Sequence, residues 1–156
     1  MAQKNQKSNL ESVKSFMYQK HVAIVGISRK SQKFGNTIFK ELNKKDYHLY
    51  PIHPELHEFE GVKCYRDIAT LPEEVTAVIV CTQPEKVLPI VKETHAKKIR
   101  HIWLQQGAQS DEAAEYATEN GLNLVQRECI LMFAEPVGSI HKFHRFLNKF
   151  FGAYPK

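Results

Sequence analysis

His21-Val22-Ala23-Ile24-Val25-Gly26 runs directly into Ile27-Ser28-Arg29-Lys30-Ser31-Gln32-Lys33-Phe34-Gly35-Asn36. The first run is short, apolar and stopped by a glycine, which is the pattern of a buried strand. The second is polar and cationic. From Gly35 to Lys45, Ile38, Phe39 and Leu42 then fall at helical spacing. Strand, glycine, cationic loop and helix in that order make the opening unit of a parallel sheet.

The same alternation continues outward. Tyr47–Ile52 predicts a second strand, ended by Pro51 and Pro54. A loop through Gly61 and a turn at Leu71-Pro72-Glu73 lead to Val75–Thr82, a β-branched run that predicts a central strand. Pro84–Lys98 predicts a helix with its proline in the first turn and with Val87, Leu88 and Val91 inward. Arg100–Gln105 predicts a fourth strand. Ser110 predicts the N-cap of a helix to about Asn120 with Gly121 at its C′ position, and Leu122–Gln126 a fifth strand. Leu10, Val13 and Met17 suit a short docking helix, and Ile140, Phe143, Leu147 and Phe150 an apolar stripe on a last helix over Ile140–Phe151. The expectation is one α/β domain over residues 1–156. Its core is a doubly wound, mainly parallel five-stranded Rossmann-like sheet with an added C-terminal helix.

Bulk properties narrow the function classes. A chain of 156 residues with 42% hydrophobic and 25% charged residues has an ordinary globular composition. No apolar run reaches the roughly 20 residues of a membrane span, and the N-terminus lacks the apolar core of a secretory signal, so a cytoplasmic protein is expected. Cys64, Cys81 and Cys129 are widely spaced and suit reduced thiols. The net charge of +5 sits at the ends. Residues 1–20 carry four lysines against one acid, and residues 136–156 carry Lys142, Arg145, Lys149 and Lys156 without one. A slightly acidic body with basic ends speaks against nucleic-acid binding. The scattered histidines form no zinc pattern, and a GxSxG elbow is missing.

In a doubly wound sheet, ligands gather at the carboxyl ends of the strands. Five loops are therefore informative. Gly26 lets the backbone turn close to a ligand, and a helix starting near Gly35 would aim N–H groups at an anion. Ser28 and Ser31 add hydroxyls; Arg29, Lys30 and Lys33 add charge. A valine at Gly26 is expected to collide with a bound phosphate while leaving the fold largely formed. The spacing is neither GxGxxG nor the P-loop pattern. In the second loop, Pro51-Ile52-His53-Pro54, the acid that would hold a nicotinamide nucleotide's ribose is missing, and the nearest one, Glu55, lies beyond both prolines. His53 is either a pocket residue or a turn residue. Thr82 and Gln83 are polar groups at the right end of the sheet, or N-cap groups before Pro84. Gln105 and Gly107 leave the fourth strand. Cys129 follows the fifth, where Arg127 and a helix start would lower a thiol's pKa, although a buried inert cysteine is the commoner case.

Together these stretches resemble the small stand-alone CoA-binding family, related to the CoA-binding domain of succinyl-CoA synthetase. The resemblance runs from about Val22 to Cys129 through VAIVGIS, YHLYPIHP, CYRDIATLPEEV, AVIV, HIWLQQG and GLNLV. It implies coenzyme A or an acyl-CoA as ligand. Gly26, Ser28 and Lys33-Phe34-Gly35 would then hold the pyrophosphate, with Ile27 and Arg29 of the same loop also at the ligand. Ile52, His53 and Pro54 would flank the adenosine, Thr82 and Gln83 would lie beside the ligand, Gln105 and Gly107 along the pantetheine, and Cys129 near its thiol. The family usually has Asn or Ser at His53 and Asp-Arg-Cys at Arg127-Glu128-Cys129. It carries no catalytic activity to transfer, so a binding module is expected ahead of a nicotinamide-linked oxidoreductase or a subunit of an acyl-CoA enzyme. The stripe on the last helix is expected to be buried either on the domain itself or in a symmetric homodimer.

Overall fold

The computed structural model describes residues 9–30 and 32–134. Within them lie helices α1 (Leu10–Met17), α2 (Phe34–Asn43), α3 (Val87–Ala96) and α4 (Asp111–Glu119). The strands are β1 (His21–Val25), β2 (His48–Ile52), β3 (Glu58–Phe59), β4 (Val62–Lys63), β5 (Ala77–Val80), β6 (His101–Gln105) and β7 (Asn123–Glu128). Five of them form one parallel sheet in the order β2-β1-β5-β6-β7. The doubly wound sheet is the one read from the sequence. The last helix, with the stripe from Ile140 to Phe150 and the dimer contact expected of it, lies outside the described residues.

Alternation along the strands divides the core in two. Ile24, Ala77, Ile79 and Trp103 face one side with Ile38, Phe39 and Leu42 of α2 and Val13 and Phe16 of α1. Ala23, Val78, Val80 and Ile102 face the other with Val87 and Val91 of α3 and Ala113 and Ala117 of α4. The period of two in each strand thus places helices on both faces. Ser110 caps α4 through a hydrogen bond from Ala113 N–H (3.2 Å), and Gly121 ends it at φ +65°.

Some boundaries differ from the sequence reading. The stretch read as a loop through Gly61 holds the β3–β4 hairpin, closed by Glu60 and Gly61 with φ of 51° and 77°. Two positive φ values in a two-residue turn suit the twist of a hairpin. In α1 the buried pair is Val13 and Phe16, with Phe16 edge-on to Trp103 at 5.3 Å, while Met17 is only half-buried. The fifth strand continues to Glu128, because a bulge with Arg127 at φ +65° lets pairing resume between Gln105 and Glu128. Asn123 Nδ2 donates to Ser12 O at 3.0 Å, fastening α1 to the last strand.

Candidate functional site

Chain order reverses between β1 and β5: β2 lies on one side of β1, and β5, β6 and β7 on the other. The crevice of a doubly wound sheet opens at that point, beyond Val25 and Val80. The loop leaving β1 is pinned there from two sides. Gly26 has φ +114°, and a Cβ on it would run into Cys81, within 2.8 Å of that residue's own Cβ. A Cβ on Gly35, in the first turn of α2, would press on the Gly26 carbonyl, with its carbon 2.9 Å away. Both glycines are therefore set by backbone packing between β1, β5 and α2. The expectation that valine at Gly26 would leave the fold largely formed is not sustained, because the Cys81 backbone occupies its space before any ligand arrives.

Asn36 completes the loop and was not singled out in the sequence. Its side chain is buried, and Oδ1 accepts the Ser28 N–H (2.9 Å). Nδ2 donates to Ser28 O (2.7 Å) and Lys30 O (3.1 Å). Its one visible signal is a polar residue three positions before Phe39 on the inward face of α2. Ser28 Oγ accepts the Lys30 N–H (3.1 Å), which leaves the hydroxyl proton for another acceptor. Lys33 stands at the N-cap of α2 without a side-chain cap bond, and the exposed Phe34 follows it. Ile27 turns into the core.

The second loop is set by the edge of the sheet. Tyr65 N–H donates to Pro51 O (2.8 Å), and His53 N–H donates to Tyr65 O (2.9 Å). Ile52 is buried and Pro54 exposed. His53 Nδ1 accepts the N–H groups of Glu55 (3.0 Å) and Leu56 (3.1 Å). His53 thus acts as a turn former, its ring nitrogen taking up two backbone N–H groups of the loop. Arg29 Nη1 lies 3.0 Å from Glu55 Oε2, joining the first loop to the second.

At the exit of β5, Thr82 Oγ1 donates to Gln83 O (3.3 Å), and neither side chain caps the turn at Pro84–Lys86. Cys81 is only partly exposed. Burial first, and the neighbouring Cys129 second, push its thiol up to about 12, so it is neutral at physiological pH. Beyond β6 the edge closes. Gln105 is buried and its Oε1 accepts the Ile130 N–H at 3.0 Å. Gly107 lies exposed at φ +94° with nothing near its missing Cβ. Cys129 is buried, and Arg127 reaches Asp111 of α4 (3.5 Å). The guanidinium that the sequence offered to the Cys129 thiol is therefore engaged with a carboxylate.

The parallel order, the reversal of strand order and the pinned glycine loop beside it define a Rossmann-like α/β protein. The chain belongs to the family described as the CoA binding domain, whose model matches residues 20–135. It is 34% identical over 86 residues to an ADP-forming acetate–CoA ligase of Methanocaldococcus jannaschii, a match spanning 55% of this chain and only 12% of the ligase. Similar solved structures include a conserved hypothetical protein from Pyrococcus furiosus, with a TM-score of 0.68 and 32% identity over 71% of this chain and 96% of that one. A hypothetical protein from Pyrococcus horikoshii has a TM-score of 0.72 at 26% identity, covering 81% and 93%. Among the described residues no helix is long and apolar enough to cross a membrane.

Proposed function

We propose that the chain binds coenzyme A or an acyl-CoA across the carboxyl ends of β1, β2 and β5, without catalysis of its own. The observation that carries this reading is the Gly26–Gly35–Asn36 junction. It fixes a loop bearing Ser28, Arg29, Lys30 and Lys33 against the start of α2, in a chain of the CoA binding domain family. Backbone N–H groups, a helix N-terminus and cations held in one place suit a pyrophosphate. In this reading Gly26, Ser28 and Lys33–Gly35 serve the pyrophosphate side, and Arg29, paired with Glu55, lies toward the adenosine side. Ile52, His53 and Pro54 shape the adenosine side, Thr82 and Gln83 border the chain of the ligand, and Gly107 borders the pantetheine. Burial of Gln105 and Cys129 makes these two the weakest members of the set.

Calorimetric titration and thermal unfolding with CoA, matched against NAD, test this function. CoA at 100 times its dissociation constant is expected to stabilise the protein by about 2.7 kcal/mol, with a smaller gain from NAD. An equal or larger gain from NAD overturns the reading. The match to the acetate–CoA ligase favours a second reading, a CoA-binding part of an acyl-CoA enzyme completed by other chains. Co-purification of a partner that confers ligase activity would establish it.

A further inference from the structure

We infer that the Arg29–Glu55 pair reads whether the adenosine ribose of the ligand carries a phosphate. The inference rests on the CoA reading of the crevice. Arg29 leaves the loop after β1, Glu55 leaves the loop after β2, and their 3.0 Å contact bridges the gap between them. Both side chains are open to solvent, at 62% and 66% exposure. An exposed pair of this kind is held by little net energy, so a competing anion opens it readily.

The backbones under the two side chains are fixed. Asn36 holds Ser28 and Lys30 on either side of Arg29, and His53 Nδ1 holds the N–H of Glu55 itself. Opening the pair therefore needs only rotamer changes, with neither loop remodelled. In dinucleotide-binding sheets, an acid after the second strand accepts free ribose hydroxyls, and an arginine there accommodates a ribose phosphate. This chain has its arginine after β1 and an acid only beyond the prolines that follow β2, and the two are paired with one another. A phosphorylated ribose draws the Arg29 fork, which matches phosphate oxygens in a bidentate fashion, and repels Glu55 into solvent. An unphosphorylated ribose gives Arg29 no reason to leave its carboxylate. Glu55 thus sets a threshold that only a phosphate passes, and Arg29 supplies the recognition.

Calorimetric titration with CoA and with dephospho-CoA, which keeps the pyrophosphate and pantetheine, tests the pair in the full-length protein. The wild type is expected to bind CoA about tenfold more tightly than dephospho-CoA. Arg29→Gln is expected to bring CoA down to the dephospho-CoA level while leaving dephospho-CoA within about twofold. Glu55→Gln is expected to tighten CoA alone, and both variants should melt within a degree or two of the wild type because the pair is exposed. Equal wild-type affinities for the two ligands, or equal weakening of both by Arg29→Gln, overturns the inference and leaves the CoA site standing. Failure of the wild type to bind either ligand removes the CoA reading and this inference together.

Discussion

The two halves of the sheet's carboxyl edge are both parallel strand ends, with opposite chemistry. Beyond β1 and β2 the side chains reach outward: Arg29 and Glu55 are exposed, Phe34 is 45% exposed, and the buried Asn36 spends its hydrogen bonds on holding the loop. Beyond β6 and β7 the edge seals itself. Gln105 turns inward to Ile130, Trp103 Nε1 donates to the Glu128 carbonyl at 3.2 Å, and Cys129 is buried. A strand end is therefore not a site merely by lying at the ligand side of a doubly wound sheet. It stays available to a ligand where side chains reach solvent, as Arg29 and Glu55 do beyond β1 and β2. It is closed where they turn inward, as Gln105 does beyond β6, with its buried Nε2 left without a partner among the described residues.

The largest test of this contrast compares two glycines. Gly26→Val forces a branched side chain into the Cys81 backbone at φ +114°, and a loss of about 3 kcal/mol or more is expected. Gly107→Ala, in open space at φ +94°, is expected to cost only about 1 kcal/mol. Thermal unfolding followed by circular dichroism separates them, and equal losses would erase the distinction between the pinned and the open end.

Next comes the clamp. Asn36→Ala strips partners from the Ser28 N–H and from two carbonyls, an expected loss of about 2 kcal/mol with about tenfold weaker CoA binding. Urea midpoints and titration measure the two effects. Unchanged affinity would mean that the loop need not be preformed.

The sealed end should respond in stability alone. Gln105→Leu leaves the Ile130 N–H without its acceptor, and about 1–2 kcal/mol should be lost with CoA affinity within about twofold. A large loss of affinity at an unchanged urea midpoint would return Gln105 to the ligand.

The smallest effect concerns the turn after β2. His53→Ala is expected to cost about 1 kcal/mol through the loss of the acceptor for Glu55 and Leu56, and His53→Asn about 0.5 kcal/mol or less. Equal destabilisation by the two substitutions would show that the ring, and not its Nδ1 acceptor, holds the turn.

The sheet was legible because its strands are short apolar runs with amphipathic helices in the crossovers, as Ala77–Val80 is followed by α3. Gly26 and Gly35 were legible as positions, but their reason was not. Gly26 is crowded by Cys81, more than forty residues along the chain and visible only once β5 lies beside β1, and Gly35 is crowded by the Gly26 carbonyl once α2 packs back on the loop. The roles of Asn36 and His53 hinge on which nearby N–H groups the loop leaves free, and a spacing rule carries no such information. The inward turn of Gln105 escaped for the same reason. Its side chain follows the strand pleat and bonds a residue from the next strand's exit, whereas a sequence shows only a polar residue at a strand's end.

The bond from Asn123 to Ser12 has a consequence for how the chain is made. Its two ends are separated by 111 positions, so α1 leaves the ribosome long before the strand it fastens to exists. At ordinary elongation rates the interval is on the order of ten seconds. Throughout it Val13 and Phe16, fully interior in the finished protein, face the surroundings of the nascent chain. Ribosome-bound chains arrested before β7 should leave α1 open to protease, and full-length released chains should protect it.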